Sequence, residues 1–161
     1  MKIKIKKARL KETDKCLELV NKTFDKFEAP LYGEQGTACF KRFTAYENIY
    51  KLVKEKRMKI YKATLGKQLV GVMAVMNLSH VSLLFVDENF HRQGIATALL
   101  DVCVRECKRR AEYQKLLTLN AAPAAYKFYK SYGFEAKSSE QVNEGIIFTP
   151  MEYALDKKTR I

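Results

Sequence analysis

Two apolar runs lie almost back to back in the middle of the chain: QLVGVMAVM at 68–76 and HVSLLFV at 80–86. Neither alternates apolar with polar residues as a half-exposed strand does. Each reads as a central strand buried on both faces. A sheet with two apolar faces needs cover above and below, so helices must lie on both sides of it.

The flanking sequence supplies that cover. MKIKIKKARL alternates lysine with isoleucine and reads as a first strand, with no apolar signal-peptide core. Thr13 and Asp14 can cap a helix whose apolar residues Leu17, Val20, Phe24 and Phe27 recur at helical spacing. Ala29-Pro30 breaks it, and Gly33 and Gly36 mark a loop. A second helix is predicted from about Gln35 to Lys56, with Cys39, Phe43, Tyr46, Tyr50 and Val53 on one face. Met58–Thr64 reads as a strand joined to the 68–76 run by a Gly66-Lys67 turn. Further on come a helix over about 92–112, a strand over 114–120, and a helix from Pro123 to Tyr132 closed by Gly133. Strands at 134–137 and 144–155 end the chain, and Pro150 inside the last implies a bulge or an edge.

The predicted order is β-α-α-β-β-β-α-β-α-β-β. It describes a single α/β (α+β) domain over 1–161, with a mixed, mostly antiparallel sheet of six to seven strands and helices on both faces. No apolar run is long enough for a membrane span, and a cytoplasmic protein is expected. The four cysteines form no CxxC pair and there are only two histidines, so no metal site is expected. Cys103 and Cys107 read as small apolar residues on one helix face.

The formal charge is +12. Such a field attracts polyanions, among them nucleic acid and nucleotide cofactors. The lysines are scattered, however, and a solvated lysine-rich surface explains them equally well.

FHRQGIATALL, 90–100, raises a sharper question. A glycine costs a helix about 1 kcal/mol relative to alanine, yet Gly94 stands where a helix begins. A strand, a loop and a glycine-bearing helix start together form a phosphate-holding device, with free N–H groups and the positive end of the helix dipole. A plain packing or turn glycine is the competing explanation.

HRQGIATALL resembles the acetyl-CoA-binding motif of the GCN5-related N-acetyltransferase (GNAT) family, Gln/Arg-x-x-Gly-x-Gly/Ala. Gly94 and Ala96 match; His91 stands in the Gln/Arg place. The segment NAAPAAYKFYKSYGF, 120–134, is similar to the family's second motif, matching at Asn120, Ala125, Phe128, Tyr129, Gly133 and Phe134. The resemblance covers roughly 57–155. The ending EQVNEGIIFTPMEYAL resembles a bacterial subgroup of the family that implies no particular substrate.

That resemblance implies acetyl-CoA as co-substrate, lying between the strand ending at Val86 and the strand ending at Asn120. Main-chain groups of Leu84, Phe85 and Val86 would pair with its pantetheine arm. His91, Arg92, Gln93, Gly94, Ile95, Ala96 and Thr97 would hold the pyrophosphate. Asn120, Tyr126 and Tyr129 would add contacts. Tyr129 would protonate the departing thiolate as general acid. Without the motif, Tyr129 is a core aromatic and Asn120 a strand end.

No general base declares itself. His80 reads as a satisfied structural histidine, and Glu88 and Glu140 as solvated carboxylates. Glu28, Glu34 and Glu47 could form a local acidic patch for a cationic acceptor. The leading expectation is direct acetyl transfer to a primary amine of a small molecule or protein by a monomer or homodimer. The alternatives are a non-catalytic acyl-CoA-binding module and an RNA- or ribosome-associated one.

Overall fold

The computed structural model describes residues 2–110 and 115–156. It contains an eight-stranded, mostly antiparallel sheet. In chain order the elements are β1 (Ile3–Lys7), α1 (Thr13–Phe27), α2 (Ala29–Phe43), α3 (Tyr46–Lys54), β2 (Met58–Leu65), β3 (Gln68–Met76) and β4 (His80–Val86). Then follow α4 (Ile95–Lys108), β5 (Leu116–Ala121), α5 (Tyr126–Tyr132), β6 (Glu135–Ala136), β7 (Gln141–Asn143) and β8 (Ile146–Ala154). The strands lie in the order β1-β2-β3-β4-β5-β8-β6, with β7 also paired to β8. Among the described residues only β4 and β5 run parallel; every other pairing is antiparallel.

The two apolar runs are β3 and β4, at the centre of the sheet. Val70 to Val75 of β3 are all buried. One face packs against Ile95, Leu99, Leu100 and Val104 of α4 and against α5; the other packs against Leu17, Val20 and Phe24 of α1, with Ile49 and Leu52 of α3. Burying each such side chain contributes about 1.5–3 kcal/mol, so the two helical layers are held on by their own apolar stripes. Gly71 sets how closely α4 approaches: a Cβ there would lie 2.9 Å from Ile95 Cγ2.

Two expectations about the helices change. The stretch read as a loop around Gly33 and Gly36 belongs to α2, which starts at Ala29 and bends at Gly33. The helix expected over 35–56 is two helices, parted at Thr44-Ala45. Buried Thr44 turns its hydroxyl onto the Phe40 carbonyl at 3.0 Å, and Ala45 is extended. The break re-aims α3, whose buried residues are Ile49 and Leu52, while Tyr46 is 40% exposed. The unbroken periodicity of the sequence concealed that rotation.

The strand count rises to eight because β7 and β8 form a hairpin where a single strand was expected. Asn143 pairs with Ile146, and Glu144 and Gly145 both have positive φ (50° and 81°), as a two-residue type I′ turn requires. Pro150 causes no register shift against β5. Its carbonyl accepts from Lys137 N–H, so its missing N–H faces the same side, between the stretches of β8 paired to β6 and to β7. The helix end at 111–112 and the strand start at 114 lie outside the described residues.

Candidate active site

β4 and β5 pair only at His80–Thr118 and Val81–Leu119. Beyond that point they part, and a gap opens toward the C-terminal ends of both strands. Binding crevices of open α/β sheets form at such carboxyl ends. His80 holds the closed end: its Nδ1 lies 2.8 Å from Thr118 Oγ1, and burial lowers its pKa. It is the structural histidine expected, away from the open mouth. A register shift between Ala74 and Val75 leaves Ser82 of β4 as an extra residue, a bulge at the point where the strands diverge.

The main chain of β4 then alternates. Asp87 N–H donates to the Val70 carbonyl at 2.9 Å. By the two-residue repeat, the main-chain groups of Phe85 and Leu83 also face β3, whereas those of Leu84 and Val86 face the gap. The ring of His91 folds back so that Nε2 lies 2.8 Å from the Val86 carbonyl oxygen. Phe27 stands beside that ring, with centroids 5.4 Å apart.

Residues 91–94 form an exposed turn into α4. Arg92 has φ 61°. Gly94 has φ 79° and ψ 11°, the left-handed region that costs other residues roughly 1–2 kcal/mol. A Cβ at Gly94 would meet nothing within 4 Å, so the turn requires this glycine for its backbone conformation and leaves open space beside it. Ala98 N–H makes the first helical bond, to the Gly94 carbonyl. The N–H groups of Ile95, Ala96 and Thr97 precede it and have no acceptor within the helix. Ile95 itself is buried against the sheet and anchors the turn.

Across the gap, α5 delivers Tyr129. Tyr132, one turn further on, donates to Asp101 of α4 at 2.8 Å, and the Tyr129 ring packs edge-on against Phe128 and Phe134. Tyr129 is 8% exposed, and its pKa is raised by burial and secondarily by the Glu28 charge. Asn120 lines the same cavity at the end of β5. Tyr126 does not: it borders a shallower hollow beside Ala136 and Thr149.

The cavity measures about 380 Å³. One wall is the diverging pair Ser82–Phe85 and Leu119–Ala122. The other comes from Glu28, Tyr32, Cys39, Phe40 and Phe43 of the α1–α2 region, and from Asn143, Glu144, Ile146 and Phe148 of the β7–β8 hairpin. Gly36 and Gly145 bring these two elements together, since a Cβ on either would run into the other's backbone. Glu28 is half-buried; burial raises its pKa, opposed by the Tyr32 hydroxyl, which donates to Oε1 at 3.2 Å. Of the patch suggested by Glu28, Glu34 and Glu47, only Glu28 lines the cavity. Glu88 is ion-paired with Lys26 outside it, and Glu140 is exposed.

The sheet is thus splayed at its parallel pair, with a glycine-bearing helix start at the mouth and a buried tyrosine opposite. A family model described as an acetyltransferase (GNAT) domain matches residues 28–155. This chain belongs to that family. It is 30% identical over 99 residues to an uncharacterized N-acetyltransferase, YafP, of Escherichia coli K12; the match spans 60% of this chain and 61% of that protein. In structure it resembles a GCN5-related N-acetyltransferase from Rhodopseudomonas palustris, with a TM-score of 0.80 at 16% identity over 96% of both chains. It also resembles the PaiA N-acetyltransferase of Thermoplasma acidophilum in complex with coenzyme A, with a TM-score of 0.76 at 16% identity, covering 96% of this chain and 99% of that one. No described helix is long and apolar enough to cross a membrane.

Proposed function

We propose that the chain is an acetyl-CoA-dependent N-acetyltransferase, a cytoplasmic single-domain enzyme that moves the acetyl group directly to a primary amine. The observation that carries this reading is the gap between β4 and β5, with α4's free N–H groups at its mouth and Tyr129 at its side. Each part suits a piece of the co-substrate. The N–H groups of Ile95, Ala96 and Thr97, with the open turn at Gly94, suit a pyrophosphate, helped by the helix dipole. Leu84 and Val86 turn main-chain groups that β3 does not use toward the gap, where a pantetheine arm can add as a short strand. The Val86 carbonyl gives up its His91 contact when that arm pairs with it.

Tyr129 is the general acid. Burial keeps its phenol protonated, so at neutral pH it holds a proton to donate to the sulfur as the thioester breaks. Coenzyme A in the Thermoplasma acidophilum relative supports the co-substrate by analogy of fold.

Acetyl-CoA at 100 times its dissociation constant should stabilise the fold by about 2.7 kcal/mol. For a chain of this size that raises the Tm by roughly 5–11 °C. A thermal scan with and without acetyl-CoA measures it. An unchanged Tm at millimolar acetyl-CoA rejects the reading.

A further inference from the structure

We infer that Glu28 receives the ammonium group of the acceptor and takes its proton, and that the acceptor is a primary amine on an apolar ring-bearing body with no carboxylate beside the nitrogen. This rests on the acetyltransferase reading above and adds the acceptor's chemistry and the base to it.

The placement of Glu28 comes first. It lies at the junction of α1 and α2 and lines the same cavity as Tyr129, near enough for its charge to disfavour the phenolate. The carboxylate and the phenol thus flank one volume, as a base for the attacking nitrogen and an acid for the leaving sulfur must. Tyr32, one helical turn along α2, donates to Glu28 and holds it there.

The charge of the lining is the second observation. The chain carries +12, yet among the described residues no lysine or arginine lines this cavity; its carboxylates are Glu28 and Glu144. A cation is drawn to such a space, whereas an α-amino acid would set its own carboxylate against two others. The third is the wall. Phe40 is stacked on Phe24, with centroids 3.7 Å apart and planes 5° apart, and meets Phe85 edge-on at 5.9 Å. With Phe43, Ile146 and Phe148 it makes a rigid apolar surface suited to a ring or short alkyl body.

The step balances. Glu28 accepts one proton from the ammonium group and frees the nitrogen lone pair. The nitrogen bonds to the thioester carbonyl carbon, and the carbon–sulfur bond breaks. Tyr129 gives its proton to the sulfur and regains one from the nitrogen as the amide forms. Glu28 returns its proton to water through the open mouth, so each turnover releases one proton. Its half-buried position makes Glu28 a stronger base than a free carboxylate.

The test is thiol release from acetyl-CoA with phenethylamine and related arylalkylamines, against the matching amino acid phenylalanine. Wild type should favour the amines at least roughly tenfold in kcat/KM, the size of effect one misplaced group produces in a pocket. Glu28→Gln, nearly isosteric, should lower kcat/KM on the order of 100-fold at pH 7.5. It should leave the acetyl-CoA-induced Tm shift unchanged. Tyr32→Phe keeps the ring but removes the donor that favours the Glu28 carboxylate. The groups left around Glu28 are then the Tyr129 phenol, the remaining ring and Glu144 in the same cavity, and the midpoint of the pH profile should move up. A Glu28→Gln rate within twofold of wild type, or a preference for phenylalanine, overturns the inference. Wild type that gains the Tm shift but turns over no arylalkylamine overturns it alone. Wild type without the shift overturns the acetyltransferase reading itself.

Discussion

Between Val86 and Thr97 the site offers main chain; between Glu28 and Phe43 it offers side chains. The first region consists of N–H and C=O groups fixed by a strand end, a left-handed glycine and the first turn of α4. The second, with Tyr129 of α5 and the β7–β8 hairpin around it, consists of two carboxylates, two tyrosine hydroxyls and aromatic rings. A main-chain subsite tolerates almost any side chain that leaves the backbone alone, which is why His91 can replace the family's usual residue without disturbing the turn. A side-chain subsite depends on each group it contains, and this is where chains of one fold diverge in substrate.

The largest effects should come from two glycines that let elements approach closely, Gly36 beside the acceptor wall and Gly71 beneath the start of α4. Gly36→Ala drives a Cβ into the Gly145 carbonyl and parts α2 from the β7–β8 hairpin. Overpacking of this kind costs about 1–3 kcal/mol, or roughly 2–12 °C in Tm at this chain length. It should raise the amine KM and leave the acetyl-CoA-induced shift in place. Gly71→Val crowds Ile95 and Leu99 and lifts the start of α4 from the sheet. It should weaken acetyl-CoA binding first. Thermal scans and steady-state kinetics on both variants read the split; equal damage to both substrates in both variants would erase the distinction between the two subsites.

A smaller effect sharpens it further. The pKa of Glu28 is raised in the folded protein, so the fold binds that proton more tightly than the unfolded chain does. Its carboxylate therefore lowers stability as pH rises from the ordinary glutamate value of 4.5 through the folded pKa, and the deficit persists at neutral pH. Glu28→Gln cannot ionise. Its Tm should exceed that of wild type at pH 7.5, and the difference should shrink as the pH is brought down toward 4. A variant less active yet more stable is the signature of a group kept for function. A Tm difference that does not change with pH would make Glu28 an ordinary packing residue.

The same contrast explains what could be read from the sequence. β3 announced itself because a strand buried on both faces has no polar alternation; β4, apolar in sequence, fully buries only alternate residues, Val81, Leu83 and Phe85. The proposed cofactor side leaves a local mark in the sequence: Gly94 and Ala96 sit two residues apart on one turn. Asn120 and Tyr129 followed from one continuous segment. Of the proposed acceptor wall the sequence pointed only to Glu28, grouped with Glu34 and Glu47, which do not line the cavity. Glu28 and Tyr32 belong to a stretch that reads as a loop until α2 is seen to pass through it with a bend at Gly33. The β7–β8 hairpin hides in NEGI, where Glu144 occupies a turn position more usual for asparagine or aspartate. Glu28 and Glu144 meet in one cavity only because two glycines far apart in sequence let α2 rest on that turn. Pairings of this kind leave no periodic or local mark. The break at Thr44 was concealed for a related reason: its hydroxyl bonds a carbonyl four residues back, which also occurs inside unbroken helices.

The most direct test of the account is the rate of thiol release from acetyl-CoA, with a primary amine that wild type accepts, for wild type and Tyr129→Phe. Tyr129→Phe keeps the ring between Phe128 and Phe134 and removes only the hydroxyl. The account predicts a loss on the order of 100-fold in kcat, with the acetyl-CoA-induced Tm shift retained. Equal rates for the two proteins would contradict it.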